Sequence, residues 1–280
     1  MANVLIYVMI LKGKVFTMNA IFMAVFAVTV IGIICAVLLS TASKVMFVKT
    51  DERVTAIQGC LPGSNCGACG YAGCAGYAEA LVADANIKTN LCTPGGDSVV
   101  AELSRIMGVD GGASAKKVAV VHCGGDSEAQ QVKMDYTGIP TCYAATEVFG
   151  GQGACTYGCL GYGDCRKACP FDAICIENGL AKINANCTGC GLCVKVCPNN
   201  IIAIAENMNI PVIMCQNHEK GGVVRKKCSK GCIACTKCVR ECPVTAIVME
   251  DNLAVIDPEK CNGCGHCAEI CMTKCIHPLR

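Results

Sequence analysis

The sequence predicts an α+β protein in which one membrane-spanning helix carries a soluble part built around cysteine. Three observations lead there. A long run near the N-terminus has no charge, 28 of the 280 residues are Cys, and short apolar strands recur in pairs between the cysteine clusters. Aromatic residues make up 5% of the chain and Trp is absent. Once Cys and the membrane run are set aside, little large apolar side chain remains for a hydrocarbon core. The net charge is +2, and no basic-aromatic stripe occurs, which leaves no footprint for nucleic acid.

Residues 1–17 read as an N-terminal extension, and Met18 is an alternative start. The helix is assigned to 18–43. No Asp, Glu, Lys, Arg or His lies between Lys14 and Lys44, and Ala20 to Leu39 is apolar apart from Thr29. At about 1.5 Å per residue such a stretch matches a bilayer core of about 30 Å. A secretory signal is the alternative, since Ser40-Thr41-Ala42 is a small-x-small sequence, but the apolar region of a signal is shorter. Basic residues flank both ends, with Lys12 and Lys14 before and Lys44, Lys49 and Arg53 after. They give a slight lean to a cytoplasmic C-terminal side. Cys35 lies inside the apolar run and reads as a packing or lipid-facing residue.

Residues 44–98 form a four-Cys domain. Cys66, Cys69 and Cys74 follow a C-x2-C-x4-C pattern rich in Gly, and Cys92 comes later in Leu91-Cys92-Thr93-Pro94-Gly95-Gly96. A helix is expected over 74–85 with Ala75, Ala78, Leu81 and Val82 on its inner face. Four thiolates there suit zinc or a four-iron cluster. Cys60 is an extra thiol, read as non-ligating. Residues 99–150 form an α/β segment.

Residues 151–207 form the first of two modules. Cys187, Cys190, Cys193 and Cys197, followed by Pro198, have the C-x2-C-x2-C-x3-C-P spacing of bacterial ferredoxins. Cys155, Cys159, Cys165 and Cys169, followed by Pro170, read as an expanded version. The second module, 231–280, repeats the plan with Cys232, Cys235, Cys238 and Cys242, then Cys261, Cys264, Cys267 and Cys271, where Met272 replaces the closing Pro. Each module has a strand pair between its runs, one around Asn178-Gly179, a strong hairpin signal, and one around Asp251-Asn252. Cys175 and Cys275 fall on apolar strand positions and read as core thiols. Disulfides demand partners of fixed geometry, usually from distant segments, whereas tight repeated clusters suit metal centres in a reducing compartment.

In two-cluster ferredoxins the fourth Cys of each run ligates the other cluster. The expected centres are therefore Cys155, Cys159, Cys165 and Cys197; Cys187, Cys190, Cys193 and Cys169; Cys232, Cys235, Cys238 and Cys271; and Cys261, Cys264, Cys267 and Cys242. With the N-terminal set these make five [4Fe-4S] centres. Cys123 and Cys215 each end a strand-like stretch, and Cys142 and Cys228 follow each after a polar interval. Those four, of which Cys215 and Cys228 lie in the linker 208–230, are the candidate ligands of a sixth, against a reading as four buried thiols. No dinucleotide turn or Walker loop occurs, so no NAD site is expected on this chain, and no catalytic residue is assigned.

The apolar anchor, the C-G-x-C-G-x-x-G-C motif with its later C-x-P-G-G, and the tandem runs occur in an order that resembles the B-subunit family of the Rnf complexes. The resemblance spans roughly Met18 to Ile276. It implies an iron–sulfur subunit of a membrane-bound, ion-translocating ferredoxin:NAD⁺ oxidoreductase, in the bacterial cytoplasmic membrane with its iron–sulfur domains on the cytoplasmic side. It implies that soluble ferredoxin donates the electrons and that other subunits carry flavin, the NAD site and ion translocation. A polyferredoxin subunit of a membrane hydrogenase or other dehydrogenase is the alternative within electron transfer, and a zinc-stabilised scaffold the alternative outside it. From Glu219 to Cys242 the charge is +5, from Lys220, Arg225, Lys226, Lys227, Lys230, Lys237 and Arg240 against Glu219 and Glu241. An acidic ferredoxin is expected to dock near Arg225, Lys226, Lys227 and Lys230.

Overall fold

The computed structural model describes residues 2–45, 51–112, 116–206 and 209–278, and it divides into two units, Met1–Asp51 and Glu52–Arg280. The first unit is a helix, α1 (Ala2–Val45). It is continuous through residue 18, so the extension and the apolar segment are one rod. Within it Val25–Lys44 is long and apolar enough to cross a bilayer. Phe26, Ile31 and Leu38 each keep 60% or more of their surface exposed, which suits hydrocarbon contact and not water.

The second unit opens with three helices, α2 (Glu52–Cys60), α3 (Cys74–Ala83) and α4 (Gly96–Met107). They pack around Ile57, Tyr77, Ala78, Leu81 and Leu103. Ala75 is exposed, and the inner face of α3 is instead Tyr77, Ala78 and Leu81. Tyr77 belongs there because its hydroxyl donates to the Lys88 carbonyl at 2.7 Å, which satisfies a buried polar tip. Because α4 starts at Gly96 and packs against α2, the four-Cys domain runs past residue 98.

The remaining chain forms two modules of the same plan. In the first, β2 (Ile174–Glu177) and β3 (Leu180–Ile183) pair as a hairpin. Asn178 and Gly179 both have positive φ, 48° and 71°, as a tight type I′ turn requires. A second pair joins β1 (Val118–Val121) to β4 (Ile202–Ala205), with Val118 opposite Ala205 and Val121 opposite Ile202. The second module repeats this with the hairpin β6 (Ile247–Glu250) and β7 (Leu253–Ile256), and with β5 (Pro211–Ile213) paired to β8 (Ile276–Pro278). Thus β1, from the α/β segment, and β5, from the linker, each complete the sheet of the module that follows. Every strand has three or four residues, and the core between the sheets is half cysteine in places. Cys165 and Cys193 are buried beside Ile174, Leu180 and Ile202 in one module, and Cys232, Cys238 and Cys267 beside Ile247, Leu253 and Ile276 in the other. So small an apolar core is marginal by itself.

Candidate metal centres

All 28 cysteines are free thiols, and most of them gather in sets of four. Cys92 lies within electrostatic reach of Cys66, Cys69 and Cys74, and these four form the N-terminal set. The loop that carries them is pinned by Asn65, whose Oδ1 accepts the Cys74 N–H at 2.8 Å. In the first module Cys169, Cys187, Cys190 and Cys193 line one hollow. In the second, Cys232, Cys235, Cys238 and Cys271 line another, with Cys275 as a fifth cysteine on its wall, while Cys267 faces Cys261 and Cys264, with Cys242 packed into the same core.

The remaining two groups differ from the sequence-based grouping by one exchange. Cys142, Cys159, Cys165 and Cys197 share a hollow, and Cys123, Cys155, Cys215 and Cys228 share a different one. The reason lies in the register of the first run. Cys159-Leu160-Gly161-Tyr162-Gly163-Asp164-Cys165 has the spacing C-x2-Y-x2-C, so Tyr162 stands where the second Cys of a run would be. Cys159 faces the Ala181 backbone as Cys232 faces that of Ala254, which makes Cys159 the first residue of its run. Cys142, from the short helix α5 (Cys142–Glu147), takes the second place, next to Tyr162. Cys155 is thereby released to the other group. The Tyr at the second position was the available signal in the sequence.

The donor chemistry fits thiolate-bound clusters. Four of the sets each line a hollow of their own. Among the described residues no three His, Cys, Asp or Glu side chains converge on a point suited to a single ion. Backbone N–H groups are aimed at sulfur from Ala119 to Cys187 at 3.2 Å, Cys159 to Cys123 at 3.3 Å, Ala173 to Cys169 at 3.4 Å and Ala246 to Cys242 at 3.3 Å. Such donors stabilise a buried thiolate. Burial pushes the thiols of Cys123 and Cys165 up to about 12, and those of Cys193 and Cys238 to about 11. Those thiols hold protons that metal loading must displace.

The sets are also contiguous. Lys195 Nζ donates to the Cys66 carbonyl at 3.3 Å, and Cys66 lies near Cys190, so the N-terminal four-Cys domain abuts the first module. The Cys159 N–H reaches Cys123, and the Cys232 N–H reaches Cys215. The group of Cys123, Cys155, Cys215 and Cys228 therefore sits between the two modules.

Outside the sets, Cys60 donates its thiol to the Ala56 carbonyl at 3.2 Å, and Cys35 is exposed on α1. Cys175 is half-exposed beside Glu177, not in the core. Cys275 is 3% exposed with its sulfur 3.6 Å from that of Cys271. Its thiol hydrogen bonds hold Cys271 and Cys232 well below the usual thiol range while it retains its own proton. Of the four cations expected at a docking face, Lys227 is paired with Glu219 and Lys230 with Asp126. Arg225 and Lys226 are exposed on α6 (Gly221–Lys227) and make no ion pair among the described residues.

Comparison with known proteins finds iron–sulfur families in three parts of the chain. Residues 61–94 match a family described as a putative Fe-S cluster, 181–203 a 4Fe-4S binding domain and 224–272 a 4Fe-4S dicluster domain. The chain is 42% identical over 260 residues to the B-subunit of the proton-translocating ferredoxin:NAD(+) oxidoreductase complex of Clostridium ljungdahlii, covering 92% of this chain and 91% of the relative. It is 41% identical to the Na(+)-translocating counterpart of Acetobacterium woodii, covering 92% of this chain and 78% of that one. The B-subunit of an ion-translocating oxidoreductase complex of Methanosarcina acetivorans is 38% identical, with 88% of this chain and 94% of the relative covered.

Proposed function

The chain belongs to the B-subunit family of the ion-translocating ferredoxin:NAD(+) oxidoreductase complexes, the Rnf family, and on that premise we propose which of its residues build the electron relay and where the donor docks. As a member it is a membrane-associated iron–sulfur subunit of a multi-subunit oxidoreductase, and it uses [4Fe-4S] clusters. When bound, such clusters take up and release single electrons.

The proposed ligand sets are Cys66, Cys69, Cys74 and Cys92; Cys169, Cys187, Cys190 and Cys193; Cys142, Cys159, Cys165 and Cys197; Cys123, Cys155, Cys215 and Cys228; Cys232, Cys235, Cys238 and Cys271; and Cys242, Cys261, Cys264 and Cys267. The single observation that carries the relay is contiguity: neighbouring sets share a run, or one set's backbone N–H bonds the next set's sulfur, and the N-terminal set meets the first module where Lys195 bonds the Cys66 carbonyl beside Cys190. The protein's part is to hold the thiolates, to exclude water with short strands, and to aim N–H dipoles at sulfur. Apolar side chains on α1 anchor the soluble unit in the lipid bilayer, and the iron–sulfur domains face the cytoplasm.

Reduced ferredoxin, an acidic protein, is the proposed donor, and the exposed pair Arg225 and Lys226 is its docking point. Lys227 and Lys230 contribute less because their charges are already matched. The test is the reduction rate of the anaerobic, membrane-bound complex by ferredoxin at low salt, with Arg225→Glu/Lys226→Glu. A rate several-fold lower with a flatter salt dependence is expected. An unchanged rate and salt slope would reject this docking point.

A further inference from the structure

Asn217 is 1% exposed, one of two buried polar side chains among the described residues. It follows β5 and enters the hollow lined by Cys123, Cys155, Cys215 and Cys228. Its Nδ2 donates to Cys155 Sγ at 3.3 Å and to Glu219 Oε2 at 3.1 Å. Its Oδ1 accepts the Glu219 backbone N–H at 2.7 Å. That last bond fixes the amide: turned over, it would set an oxygen against both a sulfur and a carboxylate and leave the N–H facing a donor. The backbone N–H of Asn217 lies 3.5 Å from Cys215 Sγ, so one residue donates to two of the four thiols. Behind it the Glu219 carboxylate is held by Lys227 Nζ at 2.6 and 2.8 Å.

We propose that Asn217 is the positioning residue that sets the reduction potential of the centre between the two modules, with the Glu219–Lys227 pair as its counterweight. The proposal rests on the reading that Cys123, Cys155, Cys215 and Cys228 hold a cluster. A primary amide costs free energy to bury unless its donors and acceptor are used, and here all are used, two of the donors from this residue on sulfur. Donors on ligand sulfur favour the more negative, reduced form and raise the potential. In a site of low dielectric the effect is larger than in water. When this centre gains one electron, its reduced neighbour loses one, and Asn217 keeps its protons throughout. The centre touches the first module through Cys159 and the second through Cys232, so its potential governs the step between them.

The test is an EPR-monitored redox titration of the anaerobically purified full-length chain, with iron and sulfide counted in each sample. Cys228→Ala identifies the component that belongs to this centre. Asn217→Leu should shift that component to lower potential, and Glu219→Gln, which removes a negative charge while keeping an acceptor oxygen, should shift it higher. The other components should stay in place and iron should remain at the wild-type level. Should Asn217→Leu fold poorly, the near-isosteric Asn217→Asp gives the same downward shift. Unmoved potentials at full iron, or shifts of the same sign in the Asn217 and Glu219 variants, would overturn the proposal. So would loss of the centre from both Asn217 variants with the fold intact, which would make Asn217 a prop. If Cys228→Ala removes neither iron nor a component, the underlying reading fails instead, independently of Asn217.

Discussion

Replacing cysteines two at a time separates the structural grouping from the one suggested by spacing. Cys142 and Cys159 share a hollow, as do Cys155 and Cys228. By spacing alone, each of those pairs would be split between two sets. A double variant within one set leaves two thiols, too few to retain a cube, and takes about four iron atoms with it. Split between two sets, the same changes would leave three thiols in each and disturb two centres at once. Cys142→Ala/Cys159→Ala and Cys155→Ala/Cys228→Ala should therefore each lose about four of about 24 iron atoms per chain. Each should also erase one component of the reduced EPR spectrum. The crossed variant, Cys155→Ala/Cys159→Ala, should disturb two components. The assay is iron and acid-labile sulfide per polypeptide after anaerobic purification, with the N-terminal centre as an internal reference. If the crossed variant loses one component and the other two lose two each, the exchange of Cys142 and Cys155 is wrong.

Three further outcomes follow from local geometry. Cys275→Ala should leave the iron count unchanged, because Cys275 hydrogen bonds to Cys232, Cys271 and Thr273 and stands outside the proposed sets; loss of about four iron atoms would make it a ligand. Gly161 has φ of 78°, and a Cβ there would lie 2.6 Å from the Gly179 carbonyl oxygen. Gly161→Ala should thus cost at least about 1–2 kcal/mol from the backbone alone, read as a lower urea midpoint for loss of the cluster absorbance, and an unchanged midpoint would contradict the contact. Asp126, held below the usual carboxylate range by Lys230, stabilises the fold above its unfolded pKa of about 3.9. That contribution fades as pH falls through the lower folded value. Asp126→Asn should cost about 0.2–1 kcal/mol, equally at pH 7 and pH 5, in the same urea assay; a penalty that disappears by pH 5 would contradict the pairing.

Much of this architecture is legible in the residues, and what escapes has identifiable physical causes. Hairpins are local, so Asn178-Gly179 and Asp251-Asn252 announce them, and both turns have the paired positive φ values expected. The pairing of β1 with β4 joins residues more than 80 positions apart, and no local pattern encodes such a partner. Cys175 looks like a core position when strand alternation is read from its apolar neighbours, yet it stands opposite Lys182 on the outer side of its hairpin. The exchange of Cys142 with Cys155 escapes a reading in which an expanded run begins at its first cysteine. Tyr162 in the second place of the pattern preserves the spacing from Cys159 to Cys165, which is the local signal for the proposed start at Cys159. Lys227 and Lys230 look free in a basic stretch, whereas their partners Glu219 and Asp126 are visible only in the fold.

In the proposed grouping 24 of the thiols hold six electron-carrying centres in one continuous row. Iron and sulfide analysis of the anaerobically isolated full-length chain, paired with EPR of the dithionite-reduced protein, tests it most directly. About 24 iron and 24 sulfide per chain, with spectra of magnetically interacting [4Fe-4S] centres, are expected. A colourless protein with zinc in place of iron, or one with about four iron atoms and most thiols paired as disulfides, would contradict it.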